Sequence, residues 1–149
     1  METMKKIMLI GRVGCGKTSL AQSLAGEYRQ DKKTQTIEIQ GNSIIDTPGE
    51  YLENKNYYKA LVVAAVEVDC ILLLQACNDL QFSFSPRMYS MFNRPMIGVL
   101  TKADLAPDAG QLEGLTELLR LAGADRVFCV SSLTGEGMEA LRDSLLEPF

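Results

Sequence analysis

Short apolar runs alternate along the whole chain with stretches in which apolar residues recur every three or four positions, the two signatures of strand and amphipathic helix. Lys5 to Ile10 is an extended run that stops at Gly11, and after a glycine-rich turn Thr18 to Glu27 places Leu20, Ala21 and Leu24 on one helical face. Gln35 to Ile39 alternates polar and apolar residues, Gly41-Asn42 offers a turn, and Ser43 to Ile45 is extended again, which predicts an antiparallel hairpin. Asn56 to Val68 reads as a helix, and Cys70 to Leu74 is continuously apolar, as a strand covered on both faces must be. Pro95 to Leu100 and Arg126 to Val130 predict two more buried strands, separated by a helix from Gln111 to Leu121 that Gly123 can end. Gly137 to Leu146 supplies the last helix.

Strands and helices in this alternation predict an α/β fold with about six strands and about five helices, the sheet mostly parallel with one antiparallel edge strand. A chain of 149 residues, 46% of them hydrophobic, has the size of one domain, expected here to span residues 1–149. Its charge of −4, from 15 basic and 19 acidic residues, lacks the broad basic face of a nucleic-acid binder, so no nucleic-acid partner is expected. Cys15, Cys70, Cys77 and Cys129 form no C-x-x-C pair and the chain has no histidine, so a zinc site is not expected and a reducing cytoplasm fits best. The opening apolar run is too short for a signal peptide and Leu145-Leu146-Glu147-Pro148-Phe149 has no prenylation cysteine, so no membrane anchor is expected.

Gly11-Arg12-Val13-Gly14-Cys15-Gly16-Lys17-Thr18 satisfies G-x-x-x-x-G-K-[ST] between a predicted strand and a predicted helix, the context that a phosphate-cradling loop requires. Its glycines let successive amides turn toward phosphate oxygens, the helix start at Thr18-Ser19 adds partial positive charge, Lys17 adds a full one, and Thr18 offers a hydroxyl to Mg2+. A dinucleotide-binding turn does not fit, because Gly14-Cys15-Gly16 would need a glycine where Ser19 stands.

Two later segments follow predicted strands. Asp46-Thr47-Pro48-Gly49 puts a carboxylate where it can reach a magnesium ion through water and a glycine amide where it can approach a γ-phosphate, although the same residues make an ordinary turn. Thr101-Lys102-Ala103-Asp104 is more specific. The two adjacent N–H donors of guanine match one ionised carboxylate at Asp104, whereas adenine has no such pair. Lys102 can lay its stem along the base, and the amides of Ser131-Ser132-Leu133 can meet the guanine carbonyl oxygen.

Together these segments resemble the small GTP-binding branch of the P-loop proteins, which implies a three-layer Ras-like G domain that binds GTP and GDP with Mg2+. Lys5-Lys6-Ile7-Met8-Leu9-Ile10-Gly11, Lys33-Thr34-Gln35, Asp46-Thr47-Pro48-Gly49-Glu50-Tyr51 and Asn78-Asp79 resemble more closely the ethanolamine- and propanediol-utilisation family EutP/PduV. That resemblance implies a cytoplasmic protein associated with bacterial microcompartments, with a shell or enzyme protein as partner. It also implies that Thr34 or the nearby Thr36 completes the coordination of Mg2+, with Thr34 preferred, and that Lys17, Thr34, Gly49 and Glu50 surround the γ-phosphate.

The departures from the resembled pattern shape the expected activity. Thr101 stands where asparagine ties the phosphate loop to its neighbours, so base selectivity should persist while loop rigidity weakens. Glu50 takes the place of a water-orienting glutamine, Val13 that of a glycine, and Gly14 that of the asparagine of potassium-stimulated relatives, so slow or partner-dependent hydrolysis is expected. Arg12 resembles an internal arginine finger but should point away from the phosphates. Cys15 is either a redox-sensitive thiol or a small packing residue. Phe82, Phe84, Met88, Tyr89, Met91 and Phe92 are either core or a docking patch, and Tyr57, Tyr58 and Lys59 fall in a region that moves in GTPases. Two further functions stay open: a P-loop phosphotransferase using ATP on a small carboxylate, such as an acetate kinase, and an assembly factor that holds nucleotide without turnover.

Overall fold

Five of the apolar runs are strands in the computed structural model, which describes residues 6–12, 14–17, 19–21, 44–46, 58–79, 82, 84, 92–105 and 108–146. They are β1 (Ile7–Ile10), β2 (Ile44–Asp46), β3 (Cys70–Ala76), β4 (Met96–Thr101) and β5 (Ala124–Cys129). The sheet order is β2-β1-β3-β4-β5 and every pairing is parallel, with Ile7 opposite both Ile44 and Cys70, and Leu72 opposite Ile97. All strands therefore end at one edge. The expected hairpin arm Gln35 to Ile39 and its Gly41-Asn42 turn lie outside the described residues; the other arm is β2, one residue later than expected.

Alternate side chains of the central strands enter opposite faces, which explains why their sequences show no polar alternation. Ile7, Leu9, Leu72, Leu74, Ile97 and Val99 share one cluster with Leu20 and Ala21, on the helical backbone after the glycine-rich turn, and with Leu141 and Leu145 of α3 (Met138–Leu146). Met8, Ile10, Ile71, Leu73 and Leu100 share the other with Leu61 and Ala65 of α1 (Tyr58–Ala65) and Leu115 and Leu119 of α2 (Ala109–Ala122). Helix, sheet and helix thus make three layers. Burying one side chain of this size contributes about 1.5–3 kcal/mol, so these two clusters outweigh any loop hydrogen bond in holding the sheet.

Helix α2 begins two residues earlier than its apolar spacing suggests because Asp108 caps it, the carboxylate accepting from the Gln111 amide at 2.7 Å. Gly123 ends it at φ 124°, with its N–H on the carbonyls of Arg120 and Leu119. The helix lies close upon β4 at Gly98, where an added Cβ would stand 3.1 Å from Leu119 Cβ and 3.2 Å from Val127 Cγ2. Strand β5 is a correction: it is the outer strand of the sheet, starts at Ala124 rather than Arg126, and leaves Asp125 and Arg126 exposed. With a neighbour on one side only among the described residues, it need not be apolar throughout.

The aromatic stretch belongs to the core as far as it is described. Phe84 and Phe92 are buried, and Phe82 packs edge-to-face on Phe84 at 5.5 Å between ring centres. Met88, Tyr89 and Met91 lie outside the described residues, as does Tyr57, while Lys59 is exposed on α1. Among the described residues no helix is long and apolar enough to cross a membrane.

Candidate functional site

The loop after β1 is shaped by its glycines. A Cβ at Gly11 would meet Cys15 Sγ at 2.5 Å and the Leu74 carbonyl oxygen at 3.1 Å, so no larger residue fits there. Gly14 and Gly16 have φ of 83° and 93°, the left-handed region that glycine adopts without strain. The Cys15 amide closes the turn on the Arg12 carbonyl at 3.2 Å, and the helix follows at once, with Leu20 N–H on the Gly16 carbonyl at 2.9 Å. Lys17 is 92% buried by the loop that precedes it, its ammonium donating to the carbonyls of Gly11 at 2.9 Å and Arg12 at 3.3 Å (8% of its surface remains exposed). Val13 and Thr18 lie outside the described residues; Ser19 is on the helix and exposed.

The end of β4 grips this loop. Thr101 Oγ1 donates to the Cys15 carbonyl at 2.6 Å, so the tie expected to weaken when asparagine is absent is retained by a hydroxyl. The threonine reaches because it is the last residue of the strand and buried against the loop. Lys102 adopts φ 58° as the chain leaves the sheet, and its Nζ donates to the Gly14 carbonyl at 2.7 Å. Two consecutive residues of one strand end therefore hold two consecutive carbonyls of the glycine-rich loop.

Asp104 follows in a short 3-10 turn, Ala103–Leu105, pinned by Ala103 N–H on the Val130 carbonyl at 3.0 Å. The Asp104 side chain is oriented by Ser131, whose buried hydroxyl donates to Asp104 Oδ1 at 2.8 Å and accepts from the Thr134 amide at 3.1 Å. Sequence reasoning assigned Ser131 only a backbone role and missed this one. The assignment also needs correction, because the Ser131 amide donates to the Glu136 carbonyl at 2.9 Å. Ser132 and Leu133 are exposed and engage no such backbone bond among the described residues. Gly137 completes the loop with φ 74°, its Cα side pressed against the Cys129 carbonyl so that no Cβ fits.

Asp46 ends β2 and pairs with Leu9, two residues before Gly11, which brings its backbone to the same edge as the glycine-rich loop. Thr34, Thr36, Gly49 and Glu50 lie outside the described residues. The Arg12 guanidinium pairs with Asp79 Oδ2 at 3.3 Å, just past the end of β3. Cys15 is buried at 5% exposure within the core cluster, as a packing residue is.

Cys77 and Cys129 meet beneath the two loops with their sulfurs 3.9 Å apart. Burial, then the neighbouring Cys129, pushes the Cys77 thiol from 9.0 up to about 12. Burial also raises Cys129, against the lowering effect of the Cys77 hydrogen bond. Both are free thiols. Protonated at neutral pH, they pack as small apolar groups.

A glycine-rich loop at a helix start suits an anion, and a carboxylate held at the same edge suits a pair of N–H donors. The family described as ethanolamine utilisation and propanediol utilisation matches residues 4–147. The propanediol utilization protein PduV of Citrobacter freundii is 44% identical over 138 residues, 93% of this chain and 91% of that protein. A Salmonella typhimurium protein named "Probable acetate kinase EutP" is 37% identical over 143 residues, 95% of this chain and 89% of that protein. The GTPase Era of Erythrobacter litoralis is 26% identical over 168 residues, 93% of this chain and 53% of that protein. Among solved structures, the bacterial selenocysteine-specific elongation factor EF-Sec superposes with a TM-score of 0.68 at 22% identity, over 97% of this chain and 28% of the other, a likeness of fold. The chain belongs to the PduV-EutP family of ethanolamine and propanediol utilisation proteins, within the P-loop GTPases.

Proposed function

We propose that the chain is a guanine-nucleotide switch with slow intrinsic GTP hydrolysis, serving ethanolamine or propanediol utilisation. The observation that carries this reading is the Asp104 carboxylate, fixed by Ser131 at 2.8 Å on the strand end whose Thr101 and Lys102 hold the glycine-rich loop. One ionised carboxylate accepts both adjacent donors of guanine, and each such bond contributes about 1.5–3 kcal/mol. Gly11 and residues 13–19 cradle the phosphates, Lys102 lies along the base, and the amides of Ser132 and Leu133 meet its carbonyl oxygen. The Ser131 amide is left out of that set.

Mg2+ fits the donors that the chain offers: Thr18 and Thr34 for direct coordination and Asp46 through water, the β2 end already standing beside the loop. When bound, the ion would supply charge neutralisation to the phosphates. Glu50, placed where a water-orienting glutamine is found in Ras-like proteins, keeps turnover slow until a partner or loop movement completes the site. That partner is a shell or enzyme protein of a microcompartment, and the setting is cytoplasmic.

Calorimetry with GTP, GDP and ATP in the presence of Mg2+ tests the reading. Guanine nucleotides should bind and ATP should not; equal affinity for ATP and GTP would overturn it. Rapid multiple turnover of GTP by the isolated protein, unchanged in Glu50→Gln, would overturn slow hydrolysis. A phosphotransferase reading is favoured by the name of the Salmonella relative, and acetyl phosphate formed from acetate and ATP would select it. Asp104 weighs against it, since an adenine offers that carboxylate no matching pair of donors.

A further inference from the structure

The Arg12 carbonyl is the hub of the glycine-rich loop, accepting from the Cys15 amide at 3.2 Å and from Lys17 Nζ at 3.3 Å. The side chain of the same residue reaches across to Asp79, Nη1 to Oδ2 3.3 Å, 67 residues away in the chain. Asp79 stands on the turn after β3, and a side chain inside the strand grips that turn. Gln75 Nε2 donates to the carbonyls of Ala76 at 3.3 Å and Asp79 at 3.1 Å. Gln75 is 2% exposed in a strand otherwise composed of apolar residues, and burying an amide costs free energy unless its hydrogen bonds are made. An apolar side chain would carry no such cost, and what the amide holds is the backbone that presents Asp79.

An ion pair with side chains 28% and 36% exposed contributes little to global stability. Its effect is on geometry: fixing the Arg12 side chain to the sheet edge restrains the peptide whose carbonyl the loop closes upon. We propose that Asp79, braced by Gln75, is a positioning residue for phosphate binding, acting through Arg12 on the loop that receives the outer phosphates. This rests on the nucleotide-binding reading above and adds a residue to it. Because the hub belongs to the phosphate cradle and Asp104 to a separate turn, Asp79 acts on ligands that carry a β-phosphate and leaves the choice of base alone.

The test compares GDP with GMP on the full chain. Asp79→Asn should raise the Kd for GDP about three- to fivefold while the Kd for GMP stays within about twofold. Asp79→Glu, which keeps the charge, should restore most of the loss. Arg12→Met should weaken GDP binding to the same extent as Asp79→Asn, and the double variant should be no weaker than either. Unchanged GDP binding, or equal losses for GDP and GMP, overturns the proposal. A second measurement needs no nucleotide: hydrogen exchange of the Cys15 amide in the ligand-free protein should speed up in Asp79→Asn, and unchanged exchange also overturns it. Faster Cys15 exchange in a protein whose wild type binds no guanine nucleotide would defeat the nucleotide reading yet support the anchor.

Discussion

The glycine-rich loop and the Asp104 turn emerge at the same edge of the sheet, but they are restrained in opposite ways. Around the first, several side chains grip backbone carbonyls side by side: Thr101 on Cys15, Lys102 on Gly14, Lys17 on Gly11 and Arg12. Around the second, one side chain is held by another in sequence, the Thr134 amide on Ser131 and Ser131 on Asp104. Restraints in parallel share a load, whereas restraints in series fail at any link. Phosphate binding should therefore lose little from any one substitution, and base selection should lose more from each.

The sharpest way to break this contrast is Asp104→Asn. It should lower affinity for GTP about ten- to a hundredfold with ATP affinity unchanged, read by calorimetry, because a charge-assisted pair is replaced by an amide that offers guanine only one acceptor. A variant that keeps the preference for GTP would remove the weight placed on that carboxylate. Ser131→Ala comes next. Deleting the hydroxyl frees the carboxylate without removing it, and the GTP-to-ATP preference should fall about three- to tenfold. A loss of about twofold or less would show that the links do not act in series.

Thr101→Val removes one of several parallel ties and leaves the Cys15 carbonyl without that donor. GDP affinity should fall about two- to fourfold with the guanine preference intact, measured by nucleotide competition. The smallest effect concerns Cys77, beneath both loops. Its folded-state pKa of about 12 lies above the ordinary 9.0, so the folded chain binds the proton more tightly. Its contribution to stability is complete below the ordinary value and is lost as pH rises toward the folded one. The denaturation midpoint should hold up to about pH 8 and fall toward about pH 11, with a flatter profile in Cys77→Ala.

The parallel strands and the glycine-rich loop were legible because apolar runs and positive-φ glycines leave marks within a few residues. The element ends were less so. Asp108 as a helix cap lies outside the apolar periodicity of α2, and the outer position of β5 is a property of strand order that no local pattern encodes. The chemistry of Asp104 was legible from its motif, but its support was not, since a serine hydroxyl leaves no spacing signal toward a carboxylate 27 residues away. Thr101 misled for a related reason: the loss of an asparagine was visible, while the reach of a shorter hydroxyl to Cys15 depends on how far β4 extends. Gln75 was the one overt clue passed over, an amide following Leu72-Leu73-Leu74.

Gly98 gives the molecule a lever. Helix α2 settles onto β4 at the single position without a side chain, and its cap is Asp108, four residues beyond the acid that would read the base. A methyl group there, 3.1 Å from Leu119 Cβ, asks the contact between helix and strand to give by a few tenths of an ångström, and the chain between Asp104 and Asp108 is attached to both. If Asp104 reads the base as proposed, a screen for altered nucleotide preference should include the middle of the sheet as well as its rim.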